Sequence, residues 1–373
     1  MKALFLLFFG FQEYNGISKK IRYQISAMQK CGLDMRTCHY EVTENGDRMW
    51  MADNQIIKNL GKGTFAKLKK RLSFAPILHY VQKEQIELVY IRYYHNANPF
   101  TIHFVKALKK LEVKVALEIP TYPYDQEFIN QKLNLCMDRM FRRTLCKHVD
   151  AIVTFSNDTE IFGQRTIRIS NGIDFDAIPL RKKVHSMEHE LHLIGVAEIH
   201  FWHGFDRVLE GLKEYYHQNP DYKVYFHIIG RLSGERERQE IELPIQQYGL
   251  QPYVTLYGTK YGEELNALFE QADFAIGSLA RHRSGIYNMK SLKNREYAAR
   301  GFSFIYSEND DDFDRMPYVL KAPADESPID IPALIKFCRN QSMSPQAIRN
   351  SIGHLAWEEQ MKKVINSEFI TNH

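Results

Sequence analysis

The segment with the residue types best suited to chemistry is S-L-K-N-R-E-Y-A-A-R-G, at residues 291–301. Its pattern predicts a helix that ends at Gly301. Lys293 and Glu296 stand three positions apart and therefore share one face of this helix. A lysine in the first turn adds positive charge for a diphosphate, and a carboxylate one turn later can bind vicinal hydroxyl groups. The alternative is a surface ion pair between Lys293 and Glu296, which would contribute little to stability.

Three glycine-containing segments follow apolar runs elsewhere in the chain. The first holds Gly16 in N-G-I-S, the second holds Gly204 in W-H-G-F-D-R, and the third is I-I-G-R, which ends at Arg231. Glycine lets a ligand approach the backbone closely, and a helix start offers free N–H groups to an anion. His203 and Arg207 add charge beside Gly204. Around Gly16, a tight turn without a ligand is the alternative.

These residues lie where strands end in a predicted α/β fold. Short apolar runs rich in strand-forming residues alternate with longer helical patterns, which is typical of parallel α/β units. Strands are predicted at residues 3–9, 88–91, 113–117, 151–154 and 167–169 of the first half, and at residues 191–196, 224–229, 254–257, 274–276 and 302–306 of the second half. Residues 176–190 contain Pro179 and a polar run, so we expect the linker there. A helix is predicted at residues 351–369.

The composition limits the class of protein. The 373 residues suit two domains, and the net charge of +4 is too small to indicate nucleic-acid binding by itself. The five cysteines never occur as C-x-x-C, which is typical of reduced thiols in a cytosolic protein. No small-residue cleavage site follows the apolar run at residues 3–9, which favours a buried first strand over a secretion signal. No run of about 18 apolar residues predicts a membrane span.

Five motifs, in order along nearly the whole chain, resemble retaining family-4 glycosyltransferases of the GT-B fold. S-N-G-I-D at residues 170–174 is similar to the segment that ends the family's first domain, and H-G-F-D at residues 203–206 resembles its K-G-x-D helix start. Residues 254–278 resemble V-x-F-x-G…A-D-x-x-[VI]-x-P-S, and residues 296–306 resemble E-A-M-A-x-G-x-P-V-[IV]. Trp357 and Glu358 match the family's last helix, which crosses back onto the first domain.

The resemblance implies an α/β fold in which two Rossmann-like domains face each other across a cleft. Residues 1–178 would form the acceptor-side domain and residues 190–350 the nucleotide-sugar-binding domain. Residues 351–373 would return to the first domain as a helix. The variant S-L-K-x-R-E-Y is similar to a bacterial polysaccharide branch of the family.

The resemblance also implies roles for single residues. Glu296 would bind the ribose of the sugar donor, and the N-terminus of its helix would hold the diphosphate. The sequence departs from the family at three positions, with Asn288 for the first glutamate, His203 for the phosphate-binding lysine and Ala197 for an arginine. We therefore expect other cations to supply the phosphate charge. The expected donor-site residues are Gly16, His203, Gly204, Arg207, Arg231, Arg283, Ser291, Leu292, Lys293 and Glu296.

In the first domain, Glu118 follows a predicted strand where many relatives carry a histidine. It is the candidate catalytic residue, which would orient the acceptor or the transferred sugar. A hydrogen-bonded carboxylate at a strand end is the alternative. Tyr122 and Tyr124 follow in the same loop and are the candidate acceptor-side residues.

Three Asp-x-Asp matches could in principle hold a divalent cation with a diphosphate. One is residues 174–176, and the others are residues 310–312 and 312–314, which we expect in a solvated loop. None follows a strand in the context that GT-A glycosyltransferases show, so the sequence predicts no metal site and no cofactor besides the nucleotide sugar.

A basic segment of the first domain carries Lys58, Lys62, Lys67, Lys69, Lys70 and Arg71 among apolar residues. Such a segment could lie on an anionic membrane surface, and a solvated lysine-rich face is the alternative. We expect a cytoplasmic protein, with possible peripheral contact with the inner face of the plasma membrane through this segment.

The expected function is metal-independent transfer of a hexose-type sugar from a nucleoside diphosphate, with retention, to a glycan or lipid-linked acceptor in bacterial polysaccharide biosynthesis. Two alternatives stay open. One is a nucleotide-sugar epimerase on the same fold, and the other is a non-catalytic nucleotide-sugar-binding subunit. The base, the sugar, the acceptor and the linkage do not follow from the sequence.

Overall fold

The computed structural model describes residues 1–11, 16–125, 131–182 and 188–371. The chain forms two compact units, which we call unit 1 (Met1–Ser170 with Trp357–His373) and unit 2 (Asn171–Ala356). The division at Ser170 lies before the boundary expected at residue 178, because Ile173 and Ile178 are buried in the core of unit 2. Asn15 and part of the expected linker, residues 183–187, lie outside the described residues.

The described part of unit 1 contains one sheet with the strand order β4-β3-β2-β1-β5-β6-β7-β9-β8. Its strands are β1 (Lys2–Leu7), β2 (Asp34–Val42), β3 (Arg48–Ala52), β4 (Gln55–Gly61), β5 (Leu88–Arg92), β6 (Lys114–Ile119), β7 (Ala151–Thr154), β8 (Glu160–Ile161) and β9 (Gln164–Arg168). The six neighbouring strands β2-β1-β5-β6-β7-β9 pair in parallel. At the two ends of the sheet, β3, β4 and β8 pair antiparallel with their neighbours. The central strands are almost entirely buried, as expected for parallel strands covered on both faces.

In the described part of unit 1, five helices precede the division between the units. They are α1 (Gly16–Lys30), α2 (Gly63–Leu72), α3 (Ala75–Glu84), α4 (Pro99–Lys110) and α5 (Lys132–Cys146). Helix α4 shows how the sequence sets a helix start. The Asn98 side chain accepts hydrogen bonds from the backbone N–H groups of Phe100 and Thr101, and Pro99 occupies the first turn, where its missing N–H costs nothing.

Unit 2 contains a parallel sheet with the strand order β12-β11-β10-β13-β14-β15 in its described part. Its strands are β10 (Glu190–Val196), β11 (Lys223–Ile229), β12 (Val254–Leu256), β13 (Phe274–Ile276), β14 (Ser303–Tyr306) and β15 (Val319–Lys321). Its helices are α6 (Phe205–Tyr216), α7 (Glu235–Gln247), α8 (Gly262–Glu270), α9 (Leu292–Ala299), α10 (Ile331–Asn340) and α11 (Pro345–Ser351). The strand order reverses direction between β10 and β13, which is where open α/β sheets bind ligands at the carboxyl ends of their strands.

The prediction of one helix at residues 351–369 is wrong. The chain forms α12 (Trp357–Ile365) and α13 (Glu368–Thr371), and a short 3-10 turn precedes them at Gly353–Leu355. Leu355 is buried in the core of unit 2 and Trp357 in the core of unit 1, so the chain passes from one unit to the other at this point. The Gln360 side chain accepts a hydrogen bond of 2.7 Å from the backbone N–H of Ser170.

The predicted α/β class with two Rossmann-like parts is confirmed by these two sheets. A strand occurs at every predicted position, with ends shifted by a few residues. Strands β2, β3, β4, β8 and β15 were not predicted. Among the described residues no helix has the length and apolar content needed to cross a membrane.

The close packing of α6 against the segment that precedes α10 can be tested by substitution. A Cβ atom added at Gly211 would lie 2.0 Å from the carbonyl oxygen of Ile329, whereas one added at Gly353 would meet nothing within 4 Å. Gly211→Ala is therefore expected to lower the free energy of unfolding by about 1–3 kcal/mol, although alanine favours the helix. Urea unfolding measures this, with Gly353→Ala as the control. Equal stability of Gly211→Ala and the wild type would contradict the packing described.

Candidate functional site

Three segments that follow strands of unit 2 meet at the carboxyl edge of its sheet. The backbone N–H of Leu279, after β13, donates to the carbonyl of His203, after β10, at 2.9 Å. The N–H of Ser307, after β14, donates to the carbonyl of Ser278 at 2.9 Å. These bonds place the three segments at the point where the strand order reverses. We call this place the unit 2 edge site.

The structure explains the glycine at position 204 by packing within the protein, and not by the close approach of a ligand. Its φ of 66° lies in the left-handed region. A Cβ atom at this position would lie 2.9 Å from the Cβ of Ala280, so the space over Gly204 is filled by the segment after β13. The glycine lets the two segments pack together. An anion has no room directly over its Cα atom.

Lys293 lies in the first turn of α9, as predicted. Ser291 precedes the helix, and its side chain makes no capping hydrogen bond. The Nζ atom of Lys293 is buried and has no hydrogen-bond partner among the described residues. Burial first, and then the nearby charge of Arg281, lowers the pKa of Lys293 well below its ordinary value. The site therefore combines the free N–H groups of a helix start with a buried lysine Nζ atom that makes no hydrogen bond to a described residue, and a bound anion would favour its charged form.

His203 and Arg281 stand beside Lys293. His203 is 4% exposed, and its Nδ1 accepts a hydrogen bond of 2.9 Å from the backbone N–H of His200. Burial and the positive charges of Lys293 and Arg281 lower the pKa of His203 well below its ordinary value. The ring is thus neutral and carries its proton on Nε2, where it can donate. The Arg281 guanidinium lies over the Trp202 ring, 5.5 Å from the ring centroid.

Glu308 is the site residue that sequence reasoning missed. It lies two residues after the end of β14 and is 2% exposed, and neither carboxylate oxygen accepts a hydrogen bond from another described residue. Burial raises the pKa of Glu308 to about 7, against the opposing effect of Arg281 and Lys293. The available signal was its position: a polar residue immediately after a buried strand lies at the sheet edge where ligands bind.

The segment after Glu308 is held by Arg295 of α9. Arg295 and Asp310 are both fully buried, and Nη1 of Arg295 lies 2.7 Å from Oδ2 of Asp310. Arg295 also forms an ion pair with Asp312. The expectation that the aspartate run lies in a solvated loop is therefore wrong at Asp310. Among the described residues no group of three potential metal ligands occurs.

Most of the other cations expected at the donor site have protein partners. The Arg207 guanidinium is 1% exposed, donates to the carbonyl oxygens of Leu279, Pro323 and Ser327, and lies 3.4 Å from Asp325. Arg283 donates to both carboxylate oxygens of Asp206 and pairs with Glu326. Arg231 forms an exposed ion pair with Glu198 at 2.8 Å. Arg207 and Arg283 therefore brace the segments of the edge site, and of the lysines and arginines expected there Lys293 is the one without a hydrogen bond or ion pair to a described residue.

Glu296 and Lys293 do not form the surface ion pair that was the alternative interpretation of their spacing. Glu296 accepts hydrogen bonds from Nε and Nη2 of Arg300, at 3.0 and 2.9 Å. Arg300 also donates to the side chain of Asn266. The Glu296 carboxylate is one-third exposed, so a ligand hydroxyl can still reach it. Leu292, the first residue of α9, is 38% exposed.

Asn288, which stands at the position of the family's first glutamate, is paired with Asn309. The Asn309 side chain donates to Oδ1 of Asn288 at 3.0 Å, and the backbone N–H of Met289 donates to the carbonyl of Asn309 at 2.9 Å. The loop that contains Asn288 therefore lies beside Glu308.

Glu118 lies in the core of unit 1 with no exposed surface. It accepts hydrogen bonds from Tyr90 at 2.6 Å and Gln24 at 2.8 Å, and it pairs with Arg92. Burial alone would raise the pKa of Glu118, but Arg92, Lys20 and the two hydrogen bonds outweigh it and the pKa falls. These contacts fit the alternative of a hydrogen-bonded strand-end carboxylate.

The remaining expected residues also lie in unit 1. Tyr124 is 1% exposed and donates to Asp138 at 2.7 Å, so its hydroxyl is used by the protein. Tyr122 is half-buried, with its ring 5.5 Å from that of Phe162. Gly16 begins α1 on the surface. The structure thus brings together His203, Ser291 and Lys293 in unit 2, and it places Gly16, Tyr122 and Tyr124 in unit 1.

Comparisons with known proteins support the fold. No family model matches the chain, and no curated protein is significantly similar to it in sequence. Anabaena HepE in complex with UDP aligns with a TM-score of 0.62 at 15% identity, over 97% of this chain and 98% of that one. Sucrose-phosphate synthase from Thermosynechococcus elongatus aligns with a TM-score of 0.58 at 16% sequence identity, over 99% of this chain and 96% of that one. The pneumococcal O-GlcNAc transferase GtfA, in complex with UDP and GlcNAc, aligns with a TM-score of 0.57 at 10% sequence identity, over 100% of this chain and 99% of that one. The predicted GT-B fold is confirmed.

The buried carboxyl of Glu308 gives a test with a defined sign. Its folded-state pKa of about 7 exceeds the ordinary value of 4.5, so its contribution to stability is fully present below pH 4.5 and is lost as the pH rises through 7. Glu308→Gln cannot ionise, so it is expected to be more stable than the wild type at about pH 8 and similar to it at about pH 5. Thermal unfolding at both pH values measures the difference.

Glu326→Gln is the matched control with the opposite sign. A hydrogen bond from Arg283 lowers the pKa of Glu326 to about 2, so the charged form is the favoured one. Glu326→Gln is therefore expected to be less stable than the wild type at about pH 8. A loss of stability in Glu308→Gln at that pH would show that its carboxylate has a partner.

Proposed function

We propose that the unit 2 edge site binds a nucleoside diphosphate sugar and that the chain transfers the sugar to a glycan or lipid-linked acceptor. The observation that carries the proposal is the buried Nζ atom of Lys293 in the first turn of α9, which has no hydrogen-bond partner among the described residues. A buried charge without a counter-ion is costly, and an anionic ligand at the helix start would supply the missing partner. Solved structures of the same fold include ones that hold UDP.

Each part of the edge site has a role in this proposal. Lys293 and the N–H groups of α9 contact the diphosphate, and Nε2–H of His203 donates to a phosphate oxygen. Arg281 adds positive charge. Glu308 accepts hydrogen bonds from hydroxyl groups of the donor, and Glu296 binds the ribose. This set serves an anion that is attached to hydroxyl-bearing rings, which is the chemistry of a nucleotide sugar.

In the proposed reaction the anomeric carbon loses its bond to the diphosphate oxygen and gains one to an acceptor hydroxyl on the same face. The acceptor proton passes to the departing diphosphate, so atoms and charge balance. Lys293 and the helix N–H groups stabilise the negative charge that develops on the leaving group. We propose that they do so without a metal ion, that the sugar is a hexose, and that the product belongs to a bacterial surface polysaccharide.

Replacement of Lys293 tests the site directly. Lys293→Met removes a buried polar group that has no hydrogen-bond partner, so the ligand-free protein is expected to gain thermal stability. The same change removes the counter-ion of the diphosphate, so binding of the preferred nucleotide from a panel of UDP, GDP, ADP and dTDP should weaken about tenfold or more. Thermal unfolding and isothermal titration calorimetry measure the two effects.

Two further variants serve as controls. Lys260 pairs with Glu264 at 3.0 Å on the surface, so Lys260→Met should change neither stability nor nucleotide binding by much. Arg207 is bonded to carbonyl groups, so Arg207→Met should lower stability, and the folded protein should keep its nucleotide affinity. Unchanged nucleotide affinity in Lys293→Met would refute the donor-site assignment.

We also propose that the chain works at the inner face of the plasma membrane, with part of unit 1 on anionic lipid. Helix α2 exposes Phe65, Leu68 and Leu72, and helix α5 exposes three residues at the same kind of spacing, Leu133, Met137 and Met140. Arg71 of α2 donates to the side chain of Asn134 of α5 at 2.6 Å, so the two helices are adjacent. Exposed lysines accompany these apolar side chains, which suits binding to an anionic bilayer.

Vesicle flotation tests the membrane contact. The wild type should float with vesicles of phosphatidylglycerol and phosphatidylcholine, and added salt should weaken the binding. The double variant Phe65→Ser, Leu133→Ser should stay in solution, whereas Leu243→Ser, at a 46% exposed position of α7, should float like the wild type. Equal binding to vesicles of phosphatidylcholine alone would contradict the electrostatic part of the proposal.

A further inference from the structure

Unit 2 has a cavity of about 620 Å³ that none of the residues expected at the donor site lines. Arg181 lines this cavity and donates from Nη1 to the carbonyl of Asp273, which directly precedes β13. Phe302 also lines it and directly precedes β14. The cavity therefore lies at the amino ends of these strands, whereas the edge site lies at their carboxyl ends. We call it the amino-edge pocket, and its volume falls in the range of about 300–1,000 Å³ that suits small-molecule ligands.

The guanidinium group of Arg181 is held in this pocket by a ring and a carbonyl. It lies over Phe302, 4.4 Å from the ring centroid, and its bond to the carbonyl of Asp273 is 3.2 Å long. The backbone N–H of Arg181 donates to the carbonyl of Arg300 at 3.0 Å, which fixes the start of the side chain. The Nε atom is buried and has no hydrogen-bond partner among the described residues. The fold therefore positions this group and leaves part of its hydrogen-bonding capacity unused.

Two carboxylates lie near Arg181, and both accept hydrogen bonds from the backbone. Asp273 accepts one from the N–H of His192 at 2.8 Å, and Glu270 accepts one from the N–H of Lys182 at 3.1 Å. Their charges oppose the burial that lowers the pKa of Arg181, but neither forms an ion pair with it. A guanidinium group keeps its charge in proteins, so the pocket presents a cation that no described carboxylate contacts.

Arg300 is the second guanidinium group of the pocket, and it connects the pocket with the edge site. It is 5% exposed and lies over Phe269, 4.1 Å from the ring centroid. Its Nε and Nη2 donate to Oε1 of Glu296, and its Nη1 donates to the side chain of Asn266 at 3.0 Å. Arg300 directly follows α9, whereas Lys293 lies in the first turn of that helix. One short helix therefore carries groups of both places, and Glu296 is bonded to a residue of the pocket.

The polar groups of the pocket suit a phosphate that is attached to a hydroxyl-bearing group. The planar guanidinium group matches the geometry of phosphate, and the exposed Lys182 adds positive charge at the rim. Glu263, Asn266 and Gln271 also line the pocket, and their carboxylate and amide groups can form hydrogen bonds with hydroxyl groups. An organic phosphate uses both kinds of group, whereas a bare inorganic ion would use the cations alone.

We propose that the amino-edge pocket binds a small organic phosphate, with the phosphate group on Arg181 and Arg300, and that this ligand raises the affinity of the edge site for its nucleotide. A phosphate that shares Arg300 weakens the hold of this guanidinium group on Glu296, whose carboxylate then accepts hydrogen bonds from the ribose more readily. The effect on nucleotide affinity rests on the proposed function, whereas the binding of a phosphate in this pocket does not. Coupling between two sites is reciprocal, so the nucleotide raises the affinity for the phosphate by the same factor.

Binding of glucose 6-phosphate to the whole chain tests the pocket. Titration followed by NMR should show binding to the wild type, and weaker binding of glucose, which lacks the phosphate. Arg181→Met should weaken the binding of glucose 6-phosphate about tenfold or more, because it removes the guanidinium group that the phosphate contacts. Arg339→Met is the matched control. Arg339 also lies over a ring, 4.5 Å from the centroid of Tyr222, and also donates to a carbonyl, but it does not line the pocket, so the affinity should not change.

The coupling to the edge site is tested by the affinity for UDP with and without saturating glucose 6-phosphate. Glucose 6-phosphate should raise the UDP affinity of the wild type about fivefold or more, and it should not raise that of Arg181→Met. An unchanged or lower UDP affinity of the wild type, or an equal rise in Arg181→Met, would refute the coupling through this pocket.

A second variant keeps the proposal testable if Arg181→Met folds poorly. Lys182 is exposed, and its hydrogen bond to Glu270 comes from the backbone, so Lys182→Glu should fold. The negative charge that it places at the rim should weaken the binding of glucose 6-phosphate about threefold or more. Unchanged affinity for glucose 6-phosphate in both variants, or equal binding of glucose by the wild type, would overturn the proposal. The absence of UDP binding would count against the proposed function and not against the binding of a phosphate in this pocket.

Discussion

The edge site of unit 2 depends on one buried guanidinium group, that of Arg295. Its Nε donates to the carbonyl of Asn171 at 2.7 Å, and its Nη1 donates to the carbonyl of Ser291 at 2.9 Å and to the Asp310 carboxylate. One side chain thus ties together the first residue of unit 2, the start of α9 and the segment after β14. Removal of one partner from a buried ion pair costs about 3–5 kcal/mol, so neither Arg295 nor Asp310 is replaceable alone.

The consequence for chemistry is that α9 and the segment after β14 are fixed before any ligand arrives. Lys293 lies two residues before Arg295, and Glu308 lies two residues before Asp310. The paired residues position the unpaired ones, so the buried ammonium and carboxyl groups have little freedom to move to other partners. A site whose groups are held in place need not spend binding energy on ordering them when the substrate binds. The free energy that the protein gives up in leaving Lys293 and Glu308 without partners is recovered when a ligand supplies them.

The sequence was sufficient to predict the two Rossmann-like parts, because buried parallel strands are continuous apolar runs that a single sequence displays. It was not sufficient for β3 and β4, which pair antiparallel at the edge of unit 1 and mix polar with apolar residues. At the site, Lys293 was predicted correctly as a first-turn residue of a helix. Arg207 and Arg283 look equally suited to phosphate in sequence, yet backbone carbonyls and acidic side chains distant in the chain neutralise them. Such partners depend on tertiary packing, which no local pattern records.

Charged side chains that have partners within the protein differ in role from those that lack them. Glu118, Arg207, Arg283 and Arg295 are surrounded by donors and acceptors of the protein itself, and each of them joins elements of the fold. The Nζ atom of Lys293 in unit 2 is buried and has no hydrogen-bond partner among the described residues, although Glu308 lies near enough to favour its charged form. A cation that the fold positions but does not neutralise is poorly explained by stability, because it costs desolvation energy and gains no ion pair. It is well explained by an anionic ligand, which is the role proposed for the ligand of the edge site around Lys293.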